Sequence, residues 1–182
     1  PPRSTLFPYT TLFRSLFVAL AKLKDKNFIK NGEIKIRFRA PVHEELLHSL
    51  AKEYGVSDLI EVCGPLPYRE ALAEMLQADA LLVLQASSCN EQIPAKIYEY
   101  LRARKPIAAL TDPVGDTANV LRNAGLQWIS DLDNPDRIEA CMKEWIPAMQ
   151  ENVAPIPDRK VVEQCSRRGR SSSLAEMLNA FY

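Results

Sequence analysis

Glycine is scarce in this chain of 182 residues: there are six, and none are arranged as the G-x-G-x-x-G that lets a backbone approach a dinucleotide pyrophosphate after a strand. A dinucleotide-binding fingerprint is therefore set aside. Histidine is scarcer, with only His43 and His48. Their spacing of five on a predicted helix puts them on different faces, which argues against a shared metal and for surface side chains. The four cysteines, Cys63, Cys89, Cys141 and Cys165, form no CxxC knuckle. A chain this long and core-rich needs no disulfide, so they are expected as reduced thiols of a cytosolic protein. Long apolar runs are missing too: the longest, 16–21 and 80–84, fall far short of the roughly 20 residues that span a bilayer. Nor is there an excess of charge. Lysine plus arginine equal aspartate plus glutamate at 23 each, which removes any long-range pull toward nucleic acid or an anionic membrane while leaving room for a local patch. What remains is 47% apolar and 25% charged, an ordinary globular composition. The length suits one domain with or without a terminal extension.

The first residues do not read like the rest. Residues 5–15, TLFPYTTLFRS, match codon for codon the forward translation of a common short-read sequencing adapter. Residues 1–15 are accordingly expected to be non-native, with the natural sequence beginning at Leu16 inside a helical pattern and whatever preceded it lost.

From there the chain alternates between two periods. Leu16, Phe17, Leu20 and Leu23 fall at helical spacing. Asn31-Gly32 signals a turn, and 34–39 alternates Ile34, Ile36, Phe38 against Lys35, Arg37, Arg39, a strand with one buried face. A helix is predicted over 43–54, with Gly55 at its C-cap. Then come a strand at 59–63, a helix at 68–77 and a continuous apolar strand at 80–85 of the kind buried on both faces at the centre of a parallel sheet. A helix opened by Pro94 spans 94–104, followed by a strand at 106–110, a helix at 115–123, a short strand at 127–130, a helix at 135–149 and a last helix over about 158–181. Alternation of this kind predicts an α/β fold, a doubly wound parallel sheet covered on both faces. Ligands in such folds sit beyond the carboxyl ends of the strands. That directs attention to the loops 39–43, 63–68, 85–94 and 110–116.

The loop after the most apolar strand and the helix behind it read QASSCNEQIPAKIYEYLRARKPIAAL, residues 85–110. Glu91 lies on the loop and Glu99 in the second turn of the helix. Helical side chains lean toward the N-terminus, so both carboxylates can address one ligand and accept sugar or ribose hydroxyls. The helix start offers unpaired amides and a positive dipole end, an anion site suited to a diphosphate, with Lys96 in the first turn and Ile93 too poor a cap to occupy it. A second reading is open: Lys96 and Arg102 at i−3 and i+3 would make Glu99 one rung of a solvated ion-pair ladder.

Residues 59–110 resemble the carboxyl-terminal domain of retaining glycosyltransferases of the large family four group, which have the two-domain GT-B fold. The resemblance rests on several features in the right order. LIEVCGPLPYREALAEMLQADALLVL resembles that family's strand, glycine-containing loop, helix and Ala-Asp strand. Ser87 and Ser88 follow the strand, Glu91 and Glu99 stand with seven residues between them, and Pro106 comes seven after Glu99. The terminal SRRGRSSSLAEML is similar to the family's last helix. Two positions depart from the pattern: Gln92-Ile93-Pro94 replaces a glycine-containing turn, and Arg104 stands where the family prefers glycine, which suggests a differently closed helix end.

The resemblance implies that residues 16–182 are the nucleotide-sugar-binding, Rossmann-like half of a GT-B glycosyltransferase, truncated at its N-terminus. Glu91 would be catalytic, near the transferred sugar. Glu99 would hold the donor ribose. Amides around Ile93, Ala95 and Lys96, with Ser88, would meet the diphosphate, and the loop Gly64–Tyr68, with Gly64, Pro65 and Leu66, would lie against the base. It further implies no cofactor and no metal, a missing N-terminal acceptor domain as partner, no nucleic acid, and any peripheral membrane contact made through that missing half. Surface-polysaccharide or glycolipid assembly in the cytoplasm would be the setting. Two alternatives stay open: a non-catalytic α/β binding module, and one half of a sugar-nucleotide epimerase with the same fold. A receiver-type module would need an acidic cluster at strand ends, which Asp79 and Asp112 do not supply.

Overall fold

The computed structural model describes residues 7–30 and 32–180, with side chains from Phe13 onward. Residues 1–6 of the adapter-like stretch, Asn31 of the expected turn and Phe181 at the expected end of the last helix lie outside the described residues. The elements are α1 (Phe7–Asp25), β1 (Ile36–Arg39), α2 (Glu44–Glu53), β2 (Ile60–Cys63), α3 (Tyr68–Gln77), β3 (Leu81–Leu84), α4 (Ala95–Ala103), β4 (Ile107–Leu110), α5 (Asp116–Asn123), β5 (Ile129–Ser130), α6 (Pro135–Gln150), α7 (Arg159–Gln164) and α8 (Arg167–Asn179). A single 3-10 turn, Ser87–Cys89, follows β3.

All the described ladders are parallel. β1 pairs with β2, while β3, β4 and β5 form a second sheet in that order. Alternate side chains of each strand leave on opposite faces, and the packing follows that rule. Leu82, Leu84, Ala108 and Leu110 join the core beneath α1, α2 and α6. Leu81, Val83, Ile107 and Ala109 join a second core containing Met75 of α3, Ile97 and Leu101 of α4, Leu121 of α5 and Val161 of α7. Helices thus cover both faces, the doubly wound arrangement expected of strands alternating with helices.

One expectation is corrected. The apolar run at 80–85 reads as the central strand, but among the described residues β3 has a single ladder partner and alternates between buried and half-buried, whereas all of β4 is buried. Composition reports burial on both faces without reporting how many neighbours a strand has.

Helix α1 places Leu16, Phe17, Leu20 and Leu23 in the core, all essentially inaccessible. It begins at Phe7, inside the adapter-like stretch, and Phe13 meets Phe38 of β1 edge-on at 5.7 Å between ring centroids. α1 also packs on α6 and α2, and the core it anchors draws residues from both sheets. The last predicted helix is two. Ser166 ends α7 and caps α8, its Oγ accepting from Gly169 N at 3.0 Å. The chain folds back there so tightly that a Cβ on Gly169 would lie 2.5 Å from the carbonyl oxygens of Glu163 and Gln164. Arg104 corrects another expectation. It closes α4 in the left-handed conformation, φ 52 and ψ 45, so the helix end keeps the geometry a glycine would adopt.

Candidate functional site

The four loops at the carboxyl ends of the strands are tied to one another by side chains. Arg39, the last residue of β1, donates from Nη1 to the Gly64 carbonyl at 2.6 Å, joining the first loop to the second. Its other nitrogens hold Glu74 of α3, with Nε to Oε1 at 3.0 Å and Nη2 to Oε2. That hydrogen-bonded guanidinium keeps the Glu74 carboxyl below the usual carboxylate range. Tyr68, the first residue of α3, donates its hydroxyl to Glu99 Oε1 of α4 at 3.1 Å, joining the second loop to the helix behind the third. Asn90 donates to Asp112 Oδ2, joining the third loop to the fourth. Asp112 also accepts from Val114 N at 2.9 Å, and this backbone bond first, then Asn90, lowers its carboxyl pKa.

Gln85 builds the third loop from inside. It is buried, and its amide faces back under the turn. Nε2 donates to the carbonyls of Cys89 at 2.7 Å and Gln92 at 2.6 Å, while Oε1 accepts from buried Thr111 at 3.2 Å. An amide is the side chain that supplies two donors and an acceptor at once. The loop is held shut over it, and Ser87, Ser88, Cys89, Asn90, Glu91 and Gln92 line an open depression of about 330 Å³. Gly115 completes the fit: a Cβ there would sit 2.8 Å from Asn90 Oδ1.

The site residues named from sequence fall as follows. Glu91 and Ser88 are exposed on the depression. Ile93 is half-buried against the second core. Ala95 and Lys96 are exposed in the first turn of α4, whose first amides have no intrahelical acceptor by construction. The cap residue is Pro94, with no side-chain cap bond, one position later than the Ile93 expected from sequence. A proline has neither a side-chain acceptor nor an amide hydrogen, so no side chain caps this helix start, and the residue responsible is Pro94 rather than Ile93. Gly64 and Pro65 are exposed and Leu66 half-buried, within reach of the α4 rim through Tyr68. Glu99 is half-buried, and its described partner is the tyrosine. The ion-pair ladder does not form: among the described salt bridges none joins Glu99 to Lys96 or Arg102. No described contact joins Glu91 to Glu99 either, so the two carboxylates share the rim without touching. Among the described residues no group of three or more His, Cys, Asp or Glu side chains is placed to hold a metal ion, and no helix is long and apolar enough to cross a membrane.

Sequence reasoning missed Gln85, Thr111, Asn90 and Arg39, and it placed Tyr68 only at the end of the loop assigned to the base. Gln85 had a signal, a polar residue closing an apolar run, matched by Thr111 closing the next strand in register. No local signal paired Tyr68 with Glu99.

A parallel α/β domain with helices on both faces, whose strand-end loops are cross-linked into one polar rim, belongs to the doubly wound, Rossmann-like class. Within that class the lineage is specific: the family model described as glycosyl transferases group 1 matches residues 15–154, and the chain belongs to that family. The match begins at the last residue of the adapter-like stretch. A search of curated proteins returned no match.

Proposed function

We propose that this domain binds the donor of a sugar transfer, a nucleoside-diphosphate sugar, at the rim formed by the loops 63–68 and 85–94 and the start of α4. Membership of the glycosyl transferases group 1 family supports sugar transfer in general. The observation that carries the finer reading is Glu99: a half-buried carboxylate on the rim whose partner is a neutral hydroxyl rather than a cation. Such a group keeps acceptor capacity for ribose hydroxyls. The open amides of α4 and the Lys96 ammonium favour a diphosphate beside it. Glu91 is one of the residues lining the depression, where the sugar would project. Stabilising the departing diphosphate is the main electrostatic task, and oriented amides with basic groups perform it without a metal.

The acceptor side and the basic diphosphate clamp are assigned to chain preceding α1. Among the described residues neither β1 nor β3 has a second ladder partner, and α1 packs on a core shared by both sheets. The setting is taken as cytoplasmic, in assembly of a polysaccharide or glycolipid. Calorimetric titration of the full chain with UDP, GDP and ADP tests the reading. One of the three should bind saturably, and sugar transfer from the corresponding donor should be undetectable for this chain alone. Heat indistinguishable from dilution for all three, with the protein demonstrably folded, would overturn the donor-site reading.

A further inference from the structure

We infer that Tyr68 is a positioning residue for Glu99: its hydroxyl holds the carboxylate in the orientation that receives the ribose hydroxyls, an inference that rests on the donor-site reading above. The bond crosses between elements, from the first residue of α3 to the second turn of α4, with Oη to Oε1 at 3.1 Å. A glutamate has three side-chain torsions, and Glu99 carries Lys96 and Arg102 on its own helix face at i−3 and i+3. Unrestrained, the carboxylate would swing toward those cations. Yet no ion pair forms to either among the described residues, and the tyrosine is the partner found. A phenol suits this task because it is rigid, with two torsions, and delivers its donor at a fixed radius from the backbone.

One hydrogen bond from a neutral donor leaves most of a carboxylate's acceptor sites open, since an ionised carboxylate has about four lone-pair positions. Oε2 and the second lone pair of Oε1 are then available to two vicinal hydroxyls. The pairing also explains why a large aromatic at 66% exposure stands at the rim: burial does not account for it, whereas the contact with Glu99 does. The phenol pKa is raised, first by the hydrogen bond to Glu99 and then by its charge, so the hydroxyl remains a donor across the neutral range.

A double-mutant cycle on the full chain tests the inference, reading the dissociation constant of whichever of UDP, GDP or ADP the parent binds. Tyr68→Phe removes only the hydroxyl of an exposed residue, so folding is preserved. Loss of this one solvent-exposed hydrogen bond, which acts on the ligand only through Glu99, predicts binding weakened about 3- to 10-fold, with the melting temperature unchanged. In a Glu99→Gln background the same substitution should change affinity less than 2-fold. A parent-like affinity for Tyr68→Phe overturns the inference while the donor site stands, and so does equal weakening in both backgrounds, because Tyr68 would then act independently of Glu99. If the parent binds no diphosphate, the donor-site reading itself has failed and the inference falls with it.

Discussion

Two helical glutamates divide this molecule into a scaffold and a rim. Glu139 of α6 lies 6% exposed at the junction with α1, between the ammonium groups of Lys26 and Lys143, each at 2.6 Å. Glu99 of α4 lies at the open end of the strands, with a tyrosine hydroxyl as its described partner. Both are glutamates on amphipathic helices, and nothing in their immediate residue type separates them. Their partners do. Two cations consume the charge of Glu139 and pull its carboxyl down to about 2, Lys143 more than Lys26. A neutral phenol orients Glu99 without neutralising it. A carboxylate of the first kind fastens helices; one of the second kind can receive a ligand.

The contrast can be broken most forcefully on the scaffold side. Phe17→Ala empties a fully buried site beneath both sheets, and should cost about 3–5 kcal/mol, roughly 10 °C or more in melting temperature. Nucleotide affinity per folded molecule, measured well below the transition, should not change. Glu139 comes next. An unfolded glutamate titrates near ~4.3, above the folded value of about 2. Its contribution is therefore complete above the unfolded value and is lost as pH falls through that interval toward the folded one. Acid unfolding followed by circular dichroism should be less steep for Glu139→Gln between about pH 4.5 and 2, and the variant should be less stable than the parent at pH 7. Smaller still is Gln85→Leu, which leaves the carbonyls of Cys89 and Gln92 and the hydroxyl of Thr111 without the partners they have now. Unmet buried groups of this kind cost about 1–3 kcal/mol. Because the loop bearing Glu91 is closed over that amide, hydrogen exchange should accelerate at residues 87–92 while β4 stays protected.

The division was only half legible in the sequence. Periodicity located every strand and most helices to within two residues, because buried stripes at 3.6 and 2.0 spacing follow directly from the solvent-facing geometry of helix and strand. It failed where neighbours rather than faces decide. β3 reads as central but lies at a sheet edge, and Ser166 splits a helix that its flanking residues would continue. The rim shows the same limit. Glu91, Glu99, Lys96 and the uncapped helix start could be read from spacing, since a loop and the first turns of one helix are local. Tyr68 and Glu99 are separated by 31 residues, and Gln85 and Thr111 by 26. Such pairs meet only once the parallel sheet has brought successive strand ends side by side, and no local pattern announces them. Arg104 shows a subtler failure: its residue type suggested an altered helix end, yet the backbone kept the left-handed turn and the Arg104 Nε reached the Pro157 carbonyl at 3.3 Å.

The sharpest test places both glutamates in one calorimetric titration at neutral pH, with Glu99→Gln and Glu139→Gln compared against the parent for the diphosphate it binds. Glu99→Gln should weaken binding about tenfold, a difference of roughly 1.4 kcal/mol, and melt with the parent. Glu139→Gln should melt earlier and bind like the parent wherever it is folded. The reverse assignment, with Glu99→Gln unfolding early or binding unchanged, would contradict the division into scaffold and rim.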